Sequence, residues 1–595
     1  MTARKKPQFT LHLLGLAVVG IVVFMIQMGN THLWDQDEGY YATAAAEMYA
    51  RGDWVTPTFN GELFGHKPPM MFWGMMVGYH LFGVNELGAR FASSLFGIGT
   101  ILLTYAIARK LFDAATGLFA GLAIGSCILF SVVARSATAD AHLTFFTVLA
   151  LFLWISDYFQ SDEIERDQRL RNVRWLTWFA TYAAMGLAAL TKGPIGFLFP
   201  TAVIGLFLLT EQTVTTLANG TRLQCLWLRW KNYSPTAFVA TVWKMRPLTA
   251  AATLLAIASP WYALVQWRTD GAFLREFIGV HHMSRFSTAM DNHSGPVYYY
   301  FIACLVGLYP WSAFAIPTAM AWFSESQQNI RARSVRFVTC WVTVYLVIFS
   351  LASTKLPNYV LPAYPALAIV IGRYFAMWTS DMSSVSVLWL KRGWGLMIAI
   401  GLVLLLAFPI AGLIEFGGRT LMDRVALARS VQLRFVGFGV AGLPLVFFGA
   451  IGLLLVSVQR PKMAAGSFAC AAISLMLILA QYVAPELDRF QTPQLLAQKW
   501  KSQVSPDDKV AILGYFRPTM VFYFGRDVEF VPTGNEAVEL ARSAEPMIMI
   551  TTQKQYESIQ SELPATTRIL ERMSQFPSRD EVFVLGNGSL KRRIL

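Results

Sequence analysis

Residues 9–28 read FTLHLLGLAVVGIVVFMIQM, an uncharged, largely apolar run that is closely followed by the acidic stretch WDQDEGYY at residues 34–41. An α-helix needs about 20 apolar residues to cross a membrane. The run therefore predicts a first membrane span, and the acids predict that the chain emerges into water just beyond it. Carboxylates beside a membrane must be solvated, paired or coordinated, so this stretch indicates a functional site.

The composition predicts a polytopic membrane protein. The 595 residues are 55% hydrophobic and 14% charged, whereas a soluble domain carries about 25% charged residues. The net charge of +13 comes from short basic stretches between apolar runs, as the positive-inside rule expects of cytoplasmic loops. It therefore gives no reason to expect a nucleic-acid partner. The five cysteines form no CxxC pair, which argues against a disulfide framework and a thiolate metal site.

Apolar runs of spanning length predict about thirteen transmembrane helices. They lie at roughly 9–28, 88–108, 114–133, 141–158, 174–191, 194–210, 247–266, 297–318, 336–352, 359–377, 393–413, 433–457 and 464–484. Arg4, Lys5 and Lys6 precede the first span, so we expect it to be retained, with the N-terminus in the cytoplasm. An odd number of spans then places the C-terminal region at the outer face of the membrane.

Two domains are expected, a transmembrane domain at 1–484 and a small soluble α/β domain at 485–595. Buried strands are predicted at 510–513, 528–531 and 547–550, with helical patterns at 536–543 and 553–562 between and after them. The first outer loop, about 30–87, contains the segments 41–50 and 69–82, which are too short to span and are predicted to be interfacial helices.

Acidic residues at the outer face are the first candidates for catalysis. Asp37 and Glu38 follow the first span, and Asp140 lies at the lip of the fourth. An acid near a helix start also satisfies free amides, so a capping role is the alternative for each. A pair of carboxylates at one membrane face can orient or deprotonate an acceptor.

Cations gather at the same predicted face. Lys192 and Lys355 each lie in a very short outer turn, against the positive-inside bias, and they indicate anion binding. Lys67 in the HKPP motif at 66–69 either contributes to such a site or extends to lipid headgroups. Arg275 and Arg285 flank a histidine pair, and their guanidinium forks favour phosphate.

A metal is the less favoured explanation of the histidines. His281 and His282 are adjacent and so point to different sides of a helix, which disfavours a site made by the two alone. One histidine joining His66 or Asp37 on zinc remains an alternative. No cofactor is required by the sequence, and a divalent metal such as zinc stays open.

Taken together, these motifs resemble the polyprenyl-phosphate-sugar glycosyltransferases of the C-type membrane fold, and more narrowly the bacterial aminoarabinose transferases of lipid A, which are related to protein O-mannosyltransferases. The resemblance covers essentially the full length. It is carried by WDQDEGYY at 34–41, GDW at 52–54, HKPP at 66–69, Asp140, TKG at 191–193, the segment 282–286 and KLPNY at 355–359.

The resemblance implies a role for each of these positions. Asp37 is the principal catalytic or acceptor-orienting carboxylate, with Glu38 and Tyr41 lining the site, and Asp140 is the second acid. Lys67 holds the carrier phosphate, helped by Arg275 or Arg285 and by Lys192. His282 and Lys355 fall within matching segments, and Tyr359 lines the sugar pocket. The family pattern often has glutamate where His66 stands here, which puts sugar-amine recognition or metal use at this position in doubt.

The expected function is transfer of 4-amino-4-deoxy-L-arabinose from undecaprenyl phosphate to a lipid A phosphate at the outer face of the inner membrane, by inverting displacement. The partners would be the lipid-linked sugar, lipid A and the bilayer. One alternative is another sugar, or a protein or glycan acceptor, on the same scaffold. The other is a transporter of lipid-linked sugars, against which stand the lack of a visible inverted repeat and the gathering of charges at one face.

Overall fold

The computed structural model describes residues 5–160, 169–170, 172–215, 234–284, 294–327, 332–413, 415–416, 419–420, 437–574 and 580–590. Helices dominate these residues, and a small sheet lies near the C-terminus. The helices of the first half are α1 (Lys5–Gly20), α2 (Asp37–Arg51), α3 (Met70–Phe82), α4 (Glu86–Leu111), α5 (Ala114–Gly125), α6 (Ile128–Ala134), α7 (Ala139–Tyr158), α8 (Trp175–Lys192), α9 (Ile195–Thr215), α10 (Pro235–Lys244), α11 (Pro247–Arg268) and α12 (Ala272–Leu274).

The second half continues the same pattern. Its helices are α13 (Tyr299–Gly307), α14 (Ala315–Gln327), α15 (Ala332–Leu351), α16 (Tyr364–Ser380), α17 (Val387–Leu413), α18 (Leu443–Ser457), α19 (Pro461–Ile478), α20 (Ala484–Asp488), α21 (Thr492–Lys501), α22 (Pro518–Phe524), α23 (Gly534–Arg542) and α24 (Gln553–Ile559). Single π-helical or 3₁₀ segments extend or join them at Ile21–Met25, Arg275–Ser284, Trp311–Phe314, Pro357–Ala363, Met382–Ser384, Gly439–Gly442 and Leu479–Val483.

Each predicted span corresponds to helix in the described part of the chain. Nine helical segments are long and apolar enough to cross a membrane by themselves. Two more predicted spans are broken helices: α5 and α6 meet at 66°, and α13 meets the helix beginning at Trp311 at 113°. The last two are α8 and α9, of which α9 is a shorter apolar helix and α8 is more polar because it contains tryptophan, tyrosine, threonine and Lys192. The prediction of a polytopic helical protein is confirmed.

Local sequence sets the helix ends that matter for the site. Asn85 caps α4 by accepting a hydrogen bond from the Gly88 amide at 2.9 Å, as short polar side chains at this position do. Gly193 ends α8 with a φ of +76°, a left-handed conformation that glycine adopts without steric cost. Lys192 is therefore the last residue of its helix and lies at a tight turn.

The C-terminal region contains a five-stranded sheet in the order β6-β5-β7-β9-β8. Its strands are β5 (Lys509–Leu513), β6 (Glu529–Val531), β7 (Met547–Thr552), β8 (Arg568–Ser574) and β9 (Glu581–Gly586), and two-residue ladders β1 (Thr58–Phe59) with β2 (Glu62–Leu63) and β3 (Glu415–Phe416) with β4 (Arg419–Thr420) lie outside it. The first three strands pair in parallel, and β9 and β8 add antiparallel. The predicted α/β unit is present, with two strands beyond those predicted.

The first loop packs against this sheet unit. Asp35 accepts a hydrogen bond from the Thr519 hydroxyl at 2.5 Å, the Tyr523 hydroxyl accepts one from the Leu33 amide at 2.7 Å, and Asp488 accepts two from His32 at 3.0 Å and 2.7 Å. Helix α2, predicted to be interfacial, is thus covered by α22. The division at 484/485 stays a prediction, and α19 to α20 run as one helical segment to Asp488.

Candidate active site

Asp140 lies at the centre of the charged residues and is buried in the first turn of α7. Its Oδ1 is 2.5 Å from Lys192 Nζ, and its Oδ2 accepts a hydrogen bond from Asn358 Nδ2 at 2.9 Å. The three residues come from α7, the end of α8 and the 3₁₀ turn after α15. Because both carboxylate oxygens are engaged, Asp140 fixes the lysine and the asparagine in place.

The Lys192 ammonium also lies 5.2 Å above the ring of Tyr359. An ammonium over an aromatic face is attracted by the ring quadrupole. Tyr359 is itself half-buried and packs against Phe349 at 5.6 Å between ring centroids. The predicted acid, cation and tyrosine therefore form one connected cluster, Asp140–Lys192–Tyr359, with Asn358 as a fourth member that the sequence analysis did not single out.

Asp37 begins α2 and is exposed. The described part of the chain gives its carboxylate neither a hydrogen bond nor an ion pair, although it lies within electrostatic range of Lys192. A helix N-terminus favours a negative charge by its dipole, so the start of α2 suits a carboxylate. It is the one predicted acid whose oxygens are open to a substrate in the described structure.

Glu38, its neighbour, is in the opposite situation. It is buried, and its two oxygens accept two hydrogen bonds from Arg90, at 2.9 Å and 2.8 Å, and one each from the amides of Ala137, at 2.6 Å, and Trp34, at 2.8 Å. Burial would raise the pKa of this carboxyl, but the Arg90 guanidinium and these hydrogen bonds hold it below its ordinary value. The geometry gives Glu38 a positioning role, and its predicted place at the reacting atoms stays untested.

Lys67 lies in a second cluster, next to Tyr41. The lysine is buried, its Nζ donates to the His66 carbonyl at 3.2 Å, and it lies 5.8 Å from the Tyr41 ring centroid. The residue before the HKPP motif is held by the π-helical segment Arg275–Ser284, because Glu276 accepts a hydrogen bond from the Gly65 amide at 3.2 Å. The predicted neighbours Lys67 and Tyr41 therefore lie together in the structure.

His66 and Glu276 lie close to each other beside the HKPP motif. His66 Nε2 lies 3.6 Å from Glu276 Oε1, and the imidazole stacks on Phe64 at 4.0 Å. Catalytic zinc takes three protein ligands and structural zinc four. The described residues contain no group of three His, Cys, Asp or Glu side chains that could hold a metal ion, so they do not fit a zinc site.

Two of the other predicted cations, Lys355 and Arg275, belong to the described part of the chain. Lys355 is buried and donates from Nζ to the carbonyls of Ser350 and Ala352, both at 2.8 Å, so it stabilises the C-terminal end of α15. Arg275 is exposed on the π-helical turns after α12. The side chain of His282 and the whole of Arg285 fall outside the described residues, and their predicted roles stay predictions.

Three residues at the site were not singled out from the sequence: Arg90, Glu276 and Asn358. Arg90 lies inside a predicted span, where an arginine without a visible partner is itself a signal of a buried ion pair. Glu276 and Asn358 lie in segments that the sequence analysis marked for their cations. Their partners are distant in the chain, so only the fold brings them together.

Known proteins share this architecture and sequence. The family model described as dolichyl-phosphate-mannose-protein mannosyltransferase matches residues 66–228. An uncharacterized protein of Aquifex aeolicus is 30% identical over 393 residues, covering 66% of this chain and 69% of that protein. The undecaprenyl phosphate-alpha-4-amino-4-deoxy-L-arabinose arabinosyl transferase of Pseudomonas aeruginosa strain LESB58 is 29% identical over 392 residues, 65% of this chain and 63% of the transferase.

Solved structures share the fold over nearly the whole chain. ArnT from Cupriavidus metallidurans bound to undecaprenyl phosphate superposes with a TM-score of 0.73 at 23% identity, covering 96% of this chain and 97% of that one. The archaeal oligosaccharyltransferase AglB from Archaeoglobus fulgidus gives a TM-score of 0.51 at 12% identity, covering 94% and 72% of the two chains.

The fold and the sequence relationship define a multi-pass inner-membrane protein of the C-type glycosyltransferase class. The Aquifex match covers more than two thirds of that relative, whereas the match to the Pseudomonas transferase spans 63% of its length. The chain belongs to the family of polyprenyl-phosphate-sugar transferases that contains the aminoarabinose arabinosyl transferases.

Proposed function

We propose that this protein transfers 4-amino-4-deoxy-L-arabinose from undecaprenyl phosphate to a phosphate of lipid A. The reaction takes place at the outer face of the inner membrane, with the N-terminus in the cytoplasm and the C-terminal unit in the periplasm. Family membership supports the reaction class, and the named Pseudomonas relative supports the sugar and its carrier. The observation that carries the proposal is the exposed Asp37 carboxylate, which has no hydrogen bond or ion pair among the described residues, together with the Asp140–Lys192 pair.

In this reaction an oxygen of the acceptor phosphate attacks the anomeric carbon of the sugar. The bond from that carbon to the carrier phosphate breaks, and undecaprenyl phosphate leaves with the bonding electron pair. A phosphate monoester has a second pKa of about 6, so the acceptor is already nucleophilic near neutral pH. The leaving phosphate is stable as an anion, so the step needs neither a strong base nor a general acid.

The charges of the site suit two anionic substrates. Lys67 is the cation proposed for the carrier phosphate, with Arg275 and Arg285 on the neighbouring segment. Lys192, held by Asp140, supplies a fixed positive charge where negative charge would otherwise accumulate. Asp37 orients the acceptor and stabilises positive charge that develops on the sugar ring. Tyr41 and Tyr359 form walls beside the two lysines.

No step is assigned to a metal. His66 with Glu276 offers two ligands, which is fewer than a catalytic zinc site has. A divalent metal at this pair therefore stays a proposal that a binding measurement must decide. The transporter alternative is less favoured, because the named relative and the matching family model are both described as transferases. A protein acceptor remains the second candidate, because the matching family model describes protein mannosyltransferases.

The test uses purified full-length protein with radiolabelled undecaprenyl-phosphate-aminoarabinose and either lipid A or an acceptor protein. Transfer of label to lipid A, lost in Asp37→Asn and in Lys67→Ala, supports the proposal. Glu62→Gln is the matched control, since Glu62 is an exposed acid of the same loop, and it should transfer at the wild-type rate. Label on the protein acceptor alone would show that the acceptor is a protein and not lipid A. Label on neither acceptor would overturn the proposed donor and acceptor.

A further inference from the structure

A small cavity lies behind the Glu38–Arg90 ion pair. It has a volume of about 130 Å³ and is formed by the first loop, α6, the turn after it and the α19–α20 segment. Its polar lining includes Thr31, Glu38, Arg90, Ser131, Arg135 and Ser136. The cavity touches the candidate active site at the Glu38–Arg90 pair, but Asp37, Lys67, Asp140 and Lys192 do not line it.

The polar lining carries a net positive charge and an unused hydroxyl. Glu38 and Arg90 neutralise each other, and the described residues pair no carboxylate with Arg135. Arg135 donates through Nη1 to the carbonyls of Val23 and Phe24, at 2.8 Å and 3.1 Å, and of Ile26, at 3.1 Å. Ser131 is 4% exposed, and its Oγ has no hydrogen-bond partner among the described residues. A buried hydroxyl without a partner is costly, and an oxygen-rich ligand would satisfy it.

Burial also affects the pKa of the Arg135 guanidinium. It lowers the pKa of Arg135 to about 10, and the neighbouring positive charge of Arg90 acts in the same direction. At neutral pH the guanidinium therefore remains charged but is poorly solvated. An anion in the cavity would stabilise the charged form.

An apolar groove continues from the cavity. It has a volume of about 720 Å³, and it shares Ile128 and Leu479 with the lining of the cavity. The rest of the groove is almost entirely apolar and comes from α13 and the turn after it, α17, the segment before α18, α19 and α20. Most of these segments belong to spans or broken spans that are apolar enough to cross a membrane, so the groove opens among lipid chains.

We propose that the cavity and the groove together bind one anionic phospholipid. Its phosphate lies against the Arg135 guanidinium and the Ser131 hydroxyl, and one acyl chain occupies the groove. A phosphate offers charge-assisted acceptors to an arginine, and a hydrocarbon chain matches the groove. The lipid is not a reactant, because the cavity contains none of the residues assigned to the transfer. The inference does not depend on which sugar or acceptor the enzyme uses.

The experiment titrates delipidated full-length protein in detergent with phosphatidylglycerol and counts bound lipid by native mass spectrometry. Phosphatidylcholine with the same chains tests the need for net negative charge. Inorganic phosphate as competitor tests whether the headgroup alone suffices. We expect one phosphatidylglycerol per chain, at least about tenfold weaker phosphatidylcholine binding, which is about 1.4 kcal/mol, and no competition by millimolar phosphate.

Two pairs of variants locate the lipid. Arg135→Gln removes the charge while keeping amide donors for the helix carbonyls, and Ser131→Val removes the hydroxyl; we expect at least about tenfold weaker binding for the first. Leu404→Trp fills the groove and should weaken binding similarly. Leu406→Trp is the matched control, because Leu406 lies on the same helix, is 51% exposed and does not line the groove.

Equal binding of both phospholipids to wild type and to Arg135→Gln would overturn the proposal and indicate ordinary annular lipid. Displacement by inorganic phosphate would also overturn it, in favour of a simple anion site. Should Arg135→Gln fail to fold, the comparison of Leu404→Trp with Leu406→Trp still decides whether the groove holds a chain.

Discussion

Gly39 of α2 lies directly against Thr519 of α22: a Cβ at position 39 would be 2.7 Å from the Thr519 backbone nitrogen. The helix that contains Asp37 and Glu38 therefore packs directly against the backbone of α22, in the C-terminal unit (residues 485–590). Asp35, two residues before Asp37, accepts a hydrogen bond from the Thr519 hydroxyl and pairs with Arg517 at 3.2 Å. The C-terminal unit thus fixes the position of the candidate catalytic acid.

This contact predicts the effect of Gly39→Ala. The added methyl group must displace the backbone of α22, and such overpacking destabilises by about 1–3 kcal/mol. We expect a lower melting temperature and a reduced transfer rate, measured on detergent-solubilised protein. Gly15→Ala is the control, because a Cβ there meets nothing within 4 Å, and it should melt at or above the wild-type temperature. Wild-type stability of Gly39→Ala would show that the two segments separate.

The two neighbouring acids predict opposite phenotypes. Asp37→Asn should lose most transfer activity while keeping the wild-type melting temperature, because Asp37 has no described side-chain partner. Glu38→Gln should lose about 3–5 kcal/mol of stability, because it leaves the Arg90 charge buried and unpaired. Activity assays and thermal melts of both variants separate the roles. A stable, inactive Glu38→Gln would instead place Glu38 at the reacting atoms.

Glu38 also predicts a pH dependence. Its folded-state pKa is lowered below the ordinary value of 4.5, so its contribution to stability is fully present above that value and is lost as pH falls through the folded-state pKa. The difference in melting temperature between wild type and Glu38→Gln should therefore be constant from pH 7 to pH 5 and shrink below about 4.5. A difference that grows on acidification would contradict the ion pair.

The Asp140–Lys192 pair predicts a double-mutant result. Asp140→Asn or Lys192→Met alone leaves a buried charge without its partner, which destabilises by about 3–5 kcal/mol. The double variant should recover much of that stability, because it removes both charges, yet it should stay inactive. Thermal unfolding and transfer assays on the four proteins measure the coupling. Additive losses of stability would mean that the two side chains do not interact.

His32 and Asp488 predict a second pH effect, of opposite sign. The hydrogen bond to Asp488 raises the pKa of His32 above 6.5, burial opposes the shift, and the charges of Asp488 and Glu86 add to it. The stabilisation is present below 6.5 and is lost as pH rises through the folded-state pKa. The melting temperature of wild type relative to His32→Gln should thus fall between pH 6 and pH 8. His80→Gln, at an exposed position of α3, serves as the control and should show no such trend.

The sequence predicts the membrane helices well because length and apolar composition determine them. Where it was less exact, the cause is local: α5 and α6 are separated by a break at Ser126–Cys127 that no proline announces, and α8 carries enough polar residues to weaken its signal. Strands β8 and β9 were missed. Strand β8 alternates between exposed and half-buried positions along RILERMS, and three of its seven residues are charged.

The sequence predicted which residues belong to the candidate site, but it did not predict which of their side chains contact one another. Asp140, Lys192 and Tyr359 were each singled out, yet 52 residues separate the first two, and no local pattern pairs them. Glu38 was predicted to be catalytic because it is an acid that follows the first span, and its burial depends on Arg90, 52 residues away in α4. Such pairings are set by how helices pack, which a single sequence does not encode locally.

The contact of α2 with α22 also bears on biosynthesis. Asp35 and Thr519 are separated by 484 residues, and a ribosome adds about 5–20 residues per second. The segment around Asp37 is therefore synthesised tens of seconds before the residues of α22 that hold it in position. The candidate catalytic acid reaches its final place only when translation is nearly finished, so a nascent chain truncated before α22 should insert into the membrane as an inactive intermediate.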